Sequence, residues 1–188
     1  MYQDVMIAGF GGQGVLLAGK LLAHAGMLEG RHVTWFPSYG AEIRGGTANC
    51  TVIISSREIG SPVVGRPSAM LALNEASFLK FENRVKPDGR LFLNTSLVRT
   101  SSSRPDIRFI EVRANDIAGE LGDLRVANMV MLGAYLKETG VVTLDSVLAA
   151  LRQVLPVRRH SLIPLNEHAL KRGADMHAGV SGPGQVLP

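Results

Sequence analysis

The sequence predicts an α/β fold: a three-layer α/β/α single domain on a largely parallel or mixed central sheet. Three observations carry this. Short apolar runs of strand length alternate with longer stretches of helical period. A glycine cluster, Gly9-Phe10-Gly11-Gly12-Gln13-Gly14, stands directly between the first strand-like segment and the first helix-like one. The length of 188 residues, 46% hydrophobic and 19% charged, suits one core and excludes a disordered chain.

Asp4 to Ala8 reads as a short apolar strand that the glycines end. Val15 to Leu28 is rich in Leu, Ala and Gly, with Leu17, Leu21, Leu22 and Ala25 at helical spacing. Arg31 to Phe36 crowds β-branched and aromatic residues behind Gly30 and reads as the second strand. The chain therefore opens with a βαβ unit, with parallel strands and a right-handed crossover. Pro37 to Gly46 holds too many turn residues for a helix, and Thr47 to Ser55 is a strand centred on Val52, Ile53 and Ile54. Ala69 to Leu73 follows as a buried strand ending at Asn74, then a helix over Glu75 to Val85 and a turn at Lys86-Pro87-Asp88-Gly89. Arg90 to Asn94 and Ile107 to Val112 read as strands on either side of a polar loop. Four helices close the chain: Asn115 to Leu121, Val126 to Thr139, Leu144 to Leu155 behind a Thr143 cap, and Pro164 to Arg172 ended by Gly173. Residues 1–173 form the domain on this reading, and 174–188 a flexible C-terminal tail.

Composition narrows the function classes. With Cys50 as the one cysteine, the chain can neither close a disulfide nor hold an iron–sulfur cluster or a cysteine zinc site by itself. The net charge of +4 is mild, aromatic residues are 5%, and no Lys/Arg run exceeds two, which argues against nucleic acid as a partner. No apolar run approaches the ~20 residues of a membrane span. The opening Met1-Tyr2-Gln3-Asp4 lacks the basic segment of a secretion signal, so the expected location is cytoplasmic.

Gly9, Gly11 and Gly14 satisfy G-x-G-x-x-G between a strand and a helix, the context of a Rossmann-like nucleotide turn. Such a turn offers backbone N–H groups to an anion at a helix N-terminus. A dinucleotide site also needs an acidic residue after the second strand to hold the ribose hydroxyls. Here that place is Phe36-Pro37-Ser38, and the first acid is Glu42. A stand-alone NAD(P)-dependent oxidoreductase is therefore the alternative reading.

The second glycine motif favours another. Gly9-Phe10-Gly11-Gly12-Gln13-Gly14-Val15 followed by Ser38-Tyr39-Gly40-Ala41-Glu42-Ile43-Arg44-Gly45-Gly46 resembles the gamma subunit of 2-oxoacid:ferredoxin oxidoreductases of the pyruvate, 2-oxoglutarate and ketoisovalerate type. Leu73-Asn74, Lys86-Pro87-Asp88-Gly89 before Leu91-Phe92-Leu93-Asn94, and Asn128 to Ala134 extend the likeness, in order, over about residues 3 to 173. The short form is most similar to the 2-oxoglutarate enzymes. The resemblance implies a complex that decarboxylates a 2-oxoacid on thiamine diphosphate, passes electrons through iron–sulfur clusters to ferredoxin and releases an acyl-CoA. Thiamine and clusters then belong to the alpha and beta, and in some complexes ferredoxin-like delta, subunits. This chain completes the assembly, coenzyme A reaches it at most at the complex interface, and it is inactive, or a homodimer, when isolated.

The residues expected at a ligand edge are Gly9, Gly11, Gly12, Gln13, Gly14, Ser38, Gly40, Glu42, Arg44, Gly45 and Asn74, with none catalytic and none binding metal. Each has a plainer alternative. Gln13 either donates to a ligand or ties its own loop. Glu42 and Arg44 either face coenzyme A or a partner, or form a local ion pair. Asn74 and Asn94 either cap turns or line the crevice at the strand ends. Cys50, on an apolar strand, reads as an inert buried thiol. The five histidines show no metal spacing, and Asn128 in its apolar helix reads as structural, in need of a hydrogen-bond partner.

Overall fold

The structure is a computed structural model that describes residues 1–39, 47–100, 102–176 and 179–181. Seven strands form one sheet: β1 (Tyr2–Phe10), β2 (His32–Tyr39), β3 (Thr47–Ser55), β4 (Ala69–Ala72), β5 (Arg90–Asn94), β6 (Arg108–Val112) and β7 (Gly179–Ser181). Their spatial order is β2-β3-β1-β4-β5-β6-β7. β1, β4, β5 and β6 are mutually parallel, while β3 runs antiparallel to both β1 and β2, and β7 antiparallel to β6. The sheet is mixed, with a parallel centre.

Among the described residues six α-helices accompany it: α1 (Val15–Leu28), α2 (Glu75–Phe81), α3 (Ala114–Glu120), α4 (Ala127–Thr139), α5 (Leu144–Val154) and α6 (Ile163–Ala174). Strand alternation sorts them into layers. Val5 and Ile7 of β1, with Cys50, Val52 and Ile54 of β3, face a large core under α1 and α3 to α6. Met6 and Ala8 of the same β1 face a smaller core closed by Phe78 and Phe81 of α2. The three layers are thus unequal, with most helices on one face. Among the described residues no helix is long and apolar enough to cross a membrane.

Four differences separate the structure from the sequence reading. β1 and β2 do run the same way, since each is antiparallel to β3, but β3 lies between them. β3 has a nine-residue register with β1, Tyr2↔Ser55 through Phe10↔Thr47, and its apolar centre is buried on both faces. Only an interior position accommodates such a strand. Gly173 does not end α6; the helix runs through it to Ala174, because this glycine is used for packing rather than for a turn. The helix expected over Glu75 to Val85 is α2 to Phe81 and then a 3-10 turn over Glu82–Arg84. A further strand, β7, was not read from the sequence; three residues carry no periodicity to detect.

Candidate functional site: the glycine edge of the sheet

The C-terminal ends of β1, β4 and β5 meet at one edge, where the chain leaves β1 for α1 on one face and leaves β4 for α2 on the other. This reversal is the place where open α/β sheets form a ligand crevice. The glycine turn forms its rim. Gly12 (φ 99°) and Gly14 (φ 73°) adopt left-handed backbone, which explains why glycine stands at both. Gly9 serves a different need: a Cβ there would meet Gln13 Oε1 at 2.8 Å and Val15 Cγ2 at 2.9 Å. A Cβ on Gly11 would meet nothing within 4 Å, so this glycine faces open space.

Gln13 bridges the crevice. Its Oε1 accepts from the Phe10 N–H at 2.7 Å and from Asn74 Nδ2 at 2.6 Å. Asn74 is itself fixed, because its Oδ1 accepts from Ser77 N and caps α2. Two donors on Oε1 settle the amide orientation, so Gln13 Nε2 is left as the donor for anything else. Gln13 therefore ties its own loop and also keeps a donor at the edge. It stands between two clefts: one of about 520 Å³, lined by Phe10, Asn74, Leu79 and Leu97, and one of about 220 Å³, lined by Gly12, Leu73, Asn94 and Arg125.

The buried amides follow the same pattern. Asn94, 1% exposed, donates from Nδ2 to Leu73 O at 3.0 Å and Asn115 Oδ1 at 2.8 Å, and its Oδ1 has no partner among the described residues. Asn128, 3% exposed, donates to Gly14 O at 3.0 Å, and its Oδ1 also has none among the described residues. Asn94 thus both joins the strand ends and lines a cleft, while Asn128 finds the partner its apolar helix required. α1 begins at this edge with no side-chain cap and no acid in its first turn, so its positive end is uncompensated. Asp123, by contrast, is held by Arg125 at 2.6 Å, which lowers its carboxyl to about 2.

Ser38, at the exposed end of β2, and the turn glycines lie at the ends of same-direction strands. Gly40, Glu42, Arg44 and Gly45 lie outside the described residues; the flanking Tyr39 and Thr47 are at the same edge, Thr47 directly opposite Phe10. β3 separates β2 from β1, so the end of β2 is not the immediate neighbour of the glycine turn, as the ribose-holding strand end of a dinucleotide site is. Sequence reasoning missed Arg125, which lines the second cleft, and Arg159, which with Arg125, Gly14 and Asn128 lines a third of about 410 Å³; both come from short helical turns far along the chain, and nothing in their local sequence marks them.

Cys50 is fully buried in β3, its Sγ 3.6 Å from Val15 O. Burial pushes the thiol up to about 12, outweighing the nearby N–H groups of Trp35 and Gly19, which act the other way. Alkylation by iodoacetamide at pH 8 is expected only after unfolding; rapid labelling of the native protein, read by mass spectrometry, would overturn this. Such a thiol does not fit a cluster ligand. Among the described residues no group of three or more His, Cys, Asp or Glu is placed to hold a metal ion.

Comparison with known proteins accords with this geometry. Residues 4–176 match the family described as pyruvate ferredoxin/flavodoxin oxidoreductase. The chain is 41% identical, over 91% of its length, to the ketoisovalerate oxidoreductase subunit VorA of Methanothermobacter marburgensis, of which it spans 36%. It is 36% identical, over 82% of its length, to the 2-oxoglutarate synthase subunit KorC of Methanothermobacter thermautotrophicus and covers 85% of that protein. The solved gamma subunit of a keto/oxoacid ferredoxin oxidoreductase from Geobacter sulfurreducens PCA has a TM-score of 0.81 at 28% identity, with 92% of this chain and 94% of that one covered. The 2-oxoglutarate:ferredoxin oxidoreductase of Magnetococcus marinus shares the fold, with a TM-score of 0.84 at 21% identity over 92% of this chain and 30% of that one. The chain belongs to the pyruvate ferredoxin/flavodoxin oxidoreductase family, and its fold is similar to that of the Geobacter gamma subunit.

Proposed function

We propose that the chain works as the gamma subunit of a complex that oxidatively decarboxylates a 2-oxoacid, transfers the acyl group to coenzyme A and reduces ferredoxin. The observation that carries this is the likeness to KorC and to the Geobacter gamma subunit over nearly their whole lengths. The likeness to VorA is higher in identity but covers about a third of that protein. 2-Oxoglutarate and 2-ketoisovalerate therefore both stand as substrates to be tried. Iron–sulfur clusters do not fit this chain's residues, as the buried Cys50 illustrates, and clusters and thiamine diphosphate are assigned to alpha and beta partners, with a ferredoxin-like delta subunit in some assemblies.

The chain's own part lies at the glycine edge. The uncapped start of α1 and the Gln13 amide donor favour an anion with hydrogen-bond acceptors, as the phosphates of coenzyme A are. Arg44, between Tyr39 and Thr47 in sequence, is proposed to supply a further charge at the same edge. The decisive experiment reconstitutes the complex and measures ferredoxin reduction with each 2-oxoacid as coenzyme A is varied. The isolated chain is expected to be colourless and inactive. Arg44→Ala is expected to raise the apparent KM for coenzyme A about tenfold or more, since a charge-assisted contact is worth ~1.5–3 kcal/mol. Normal assembly with unchanged coenzyme A dependence would return Arg44 to a local ion pair.

A further inference from the structure

Large apolar side chains exposed one at a time are ordinary on a protein surface, whereas several around one hollow are not. The cleft of about 520 Å³ brings together Phe10 (37% exposed), Leu79 (54%) and Leu97 (40%), which come from the end of β1, from α2 and from the turn after β5. Among the described residues α2 is the one α-helix on this face of the sheet. Its Phe78 and Phe81 enter the core, while Ala76, Leu79 and Lys80 on its outer side meet solvent. Cations flank the hollow. Lys80 Nζ reaches Thr47 Oγ1 at 3.2 Å, which places it beside Phe10, the register partner of Thr47. Lys80 and Arg84 both lie over the Phe81 ring, 5.2 and 5.7 Å from its centre. Arg99, exposed, follows Leu97 by two residues, and its neighbour Thr100 donates to Glu75 in the lining. None of these three cations forms an ion pair among the described residues, and Glu75 is the one acid in the lining. Glu82, which stands between Lys80 and Arg84 in sequence, buries one carboxylate oxygen and lies near Arg104.

We propose that this hollow is where the chain docks on the alpha and beta subunits of its complex, taking from them a bulky apolar side chain flanked by carboxylates. The apolar residue fills the space between Phe10, Leu79 and Leu97, and the carboxylates meet Lys80, Arg84 and Arg99 around it. This is the usual division of a protein interface into an apolar centre and a polar rim. A second copy of this chain does not fit: across a two-fold axis the same cations would face one another, and like charges brought together oppose contact. The chemistry of the partner surface follows from the hollow, and its assignment to the alpha and beta subunits rests on the proposed function.

The test co-expresses the chain with its alpha and beta partners, purifies the complex through a tag on a partner, and measures how much of the chain is retained as sodium chloride is raised. Leu79→Asp is expected to reduce retention about tenfold or more. Its circular dichroism spectrum and urea midpoint should be unchanged, because Leu79 lies outside the core. Met27→Asp, at a residue similarly exposed on α1 across the sheet, should be retained like the unmodified chain. Lys80→Glu combined with Arg99→Glu should also lower retention about tenfold, with the opposite salt dependence. Salt screens an attraction in the unmodified chain and a repulsion in the charge-reversed one, so retention should fall in the first and rise in the second. Full retention of Leu79→Asp, equal loss of Met27→Asp, or the same salt trend in both chains would overturn the proposal. So would a Leu79→Asp complex that assembles normally but needs more coenzyme A, or an isolated dimer that this change dissociates, since the hollow would then hold a ligand or a second copy. Failure of the unmodified chain to co-purify removes both this surface and the functional assignment. Normal assembly of every variant, with 2-oxoacid-dependent reduction of ferredoxin, removes the surface alone, whereas the expected losses in a complex without that activity leave the surface and remove the assignment.

Discussion

Gly133→Ala is expected to destabilise the protein by about 3 kcal/mol, the upper part of the usual range for overpacking. α4 and α6 cross with their backbones in contact. A Cβ on Gly133 would stand 2.1 Å from Leu170 O, and a Cβ on Gly173 2.1 Å from Val130 O. In both cases the obstructing atom is a helical carbonyl, which cannot move aside as a side-chain tip can. Alanine's helix propensity returns ~1 kcal/mol, so the steric cost must exceed that to be seen. Gly119→Ala in α3 is the control, because its Cβ would make only an ordinary contact with Leu124 Cδ2 at 3.7 Å. Urea unfolding should show a lower midpoint for the Gly133 variant and an equal or higher one for the Gly119 variant. Equal midpoints for Gly133→Ala and the unmodified chain would mean that the helices do not approach this closely.

The same pair of glycines marks where the sequence stops being readable. Local pattern located α1, β3 and β5 with their observed ends, because glycine or turn residues bound each and the apolar spacing inside is clear. Thr143 was legible as a cap since the Ser146 N–H it serves is three residues away. Gly173 near a helix end looks the same in sequence whether it terminates the helix or admits a neighbour; only its contact with Val130, 43 positions earlier, decides. The insertion of β3 between β1 and β2 is equally non-local. Nothing in the first forty residues specifies which strand pairs with β1.

At the candidate site the division is similar. The glycine turn announces itself by composition and by standing between a strand and a helix. That Gln13 meets Asn74 across 61 positions, or that Asn128 meets Gly14 across 114, depends on the sheet order and the placement of α4. Asn128 was legible only as a polar residue in an apolar helix, in need of a partner. Its second feature, a buried amide oxygen without a partner among the described residues, follows from the fold alone.

Gly14→Ala is expected to disturb the glycine edge more than any other single change in the turn, by two separable routes. Left-handed backbone at φ 73° costs an alanine ~1–2 kcal/mol. In addition, its Cβ would stand 2.2 Å from Asn128 Nδ2, the atom that donates to Gly14 O. That amide is buried and cannot withdraw without losing its bond, so relief must come from the turn. The start of α1 and the rim of all three clefts would shift with it, and coenzyme A-dependent turnover of the reconstituted complex should fall about a hundredfold, as small displacements of positioning groups do. Gly11→Ala, at a position facing open space, should leave stability unchanged. The two routes are separated by a double-mutant cycle with Asn128→Ala, followed by urea unfolding. Removing the Asn128 side chain should relieve the clash but not the backbone cost, so the pair should be less damaging than the sum of the single changes, by about 1 kcal/mol or more. Strict additivity would mean that Asn128 does not pack on Gly14, and with it the contact that anchors the turn to α4 would be lost from this account.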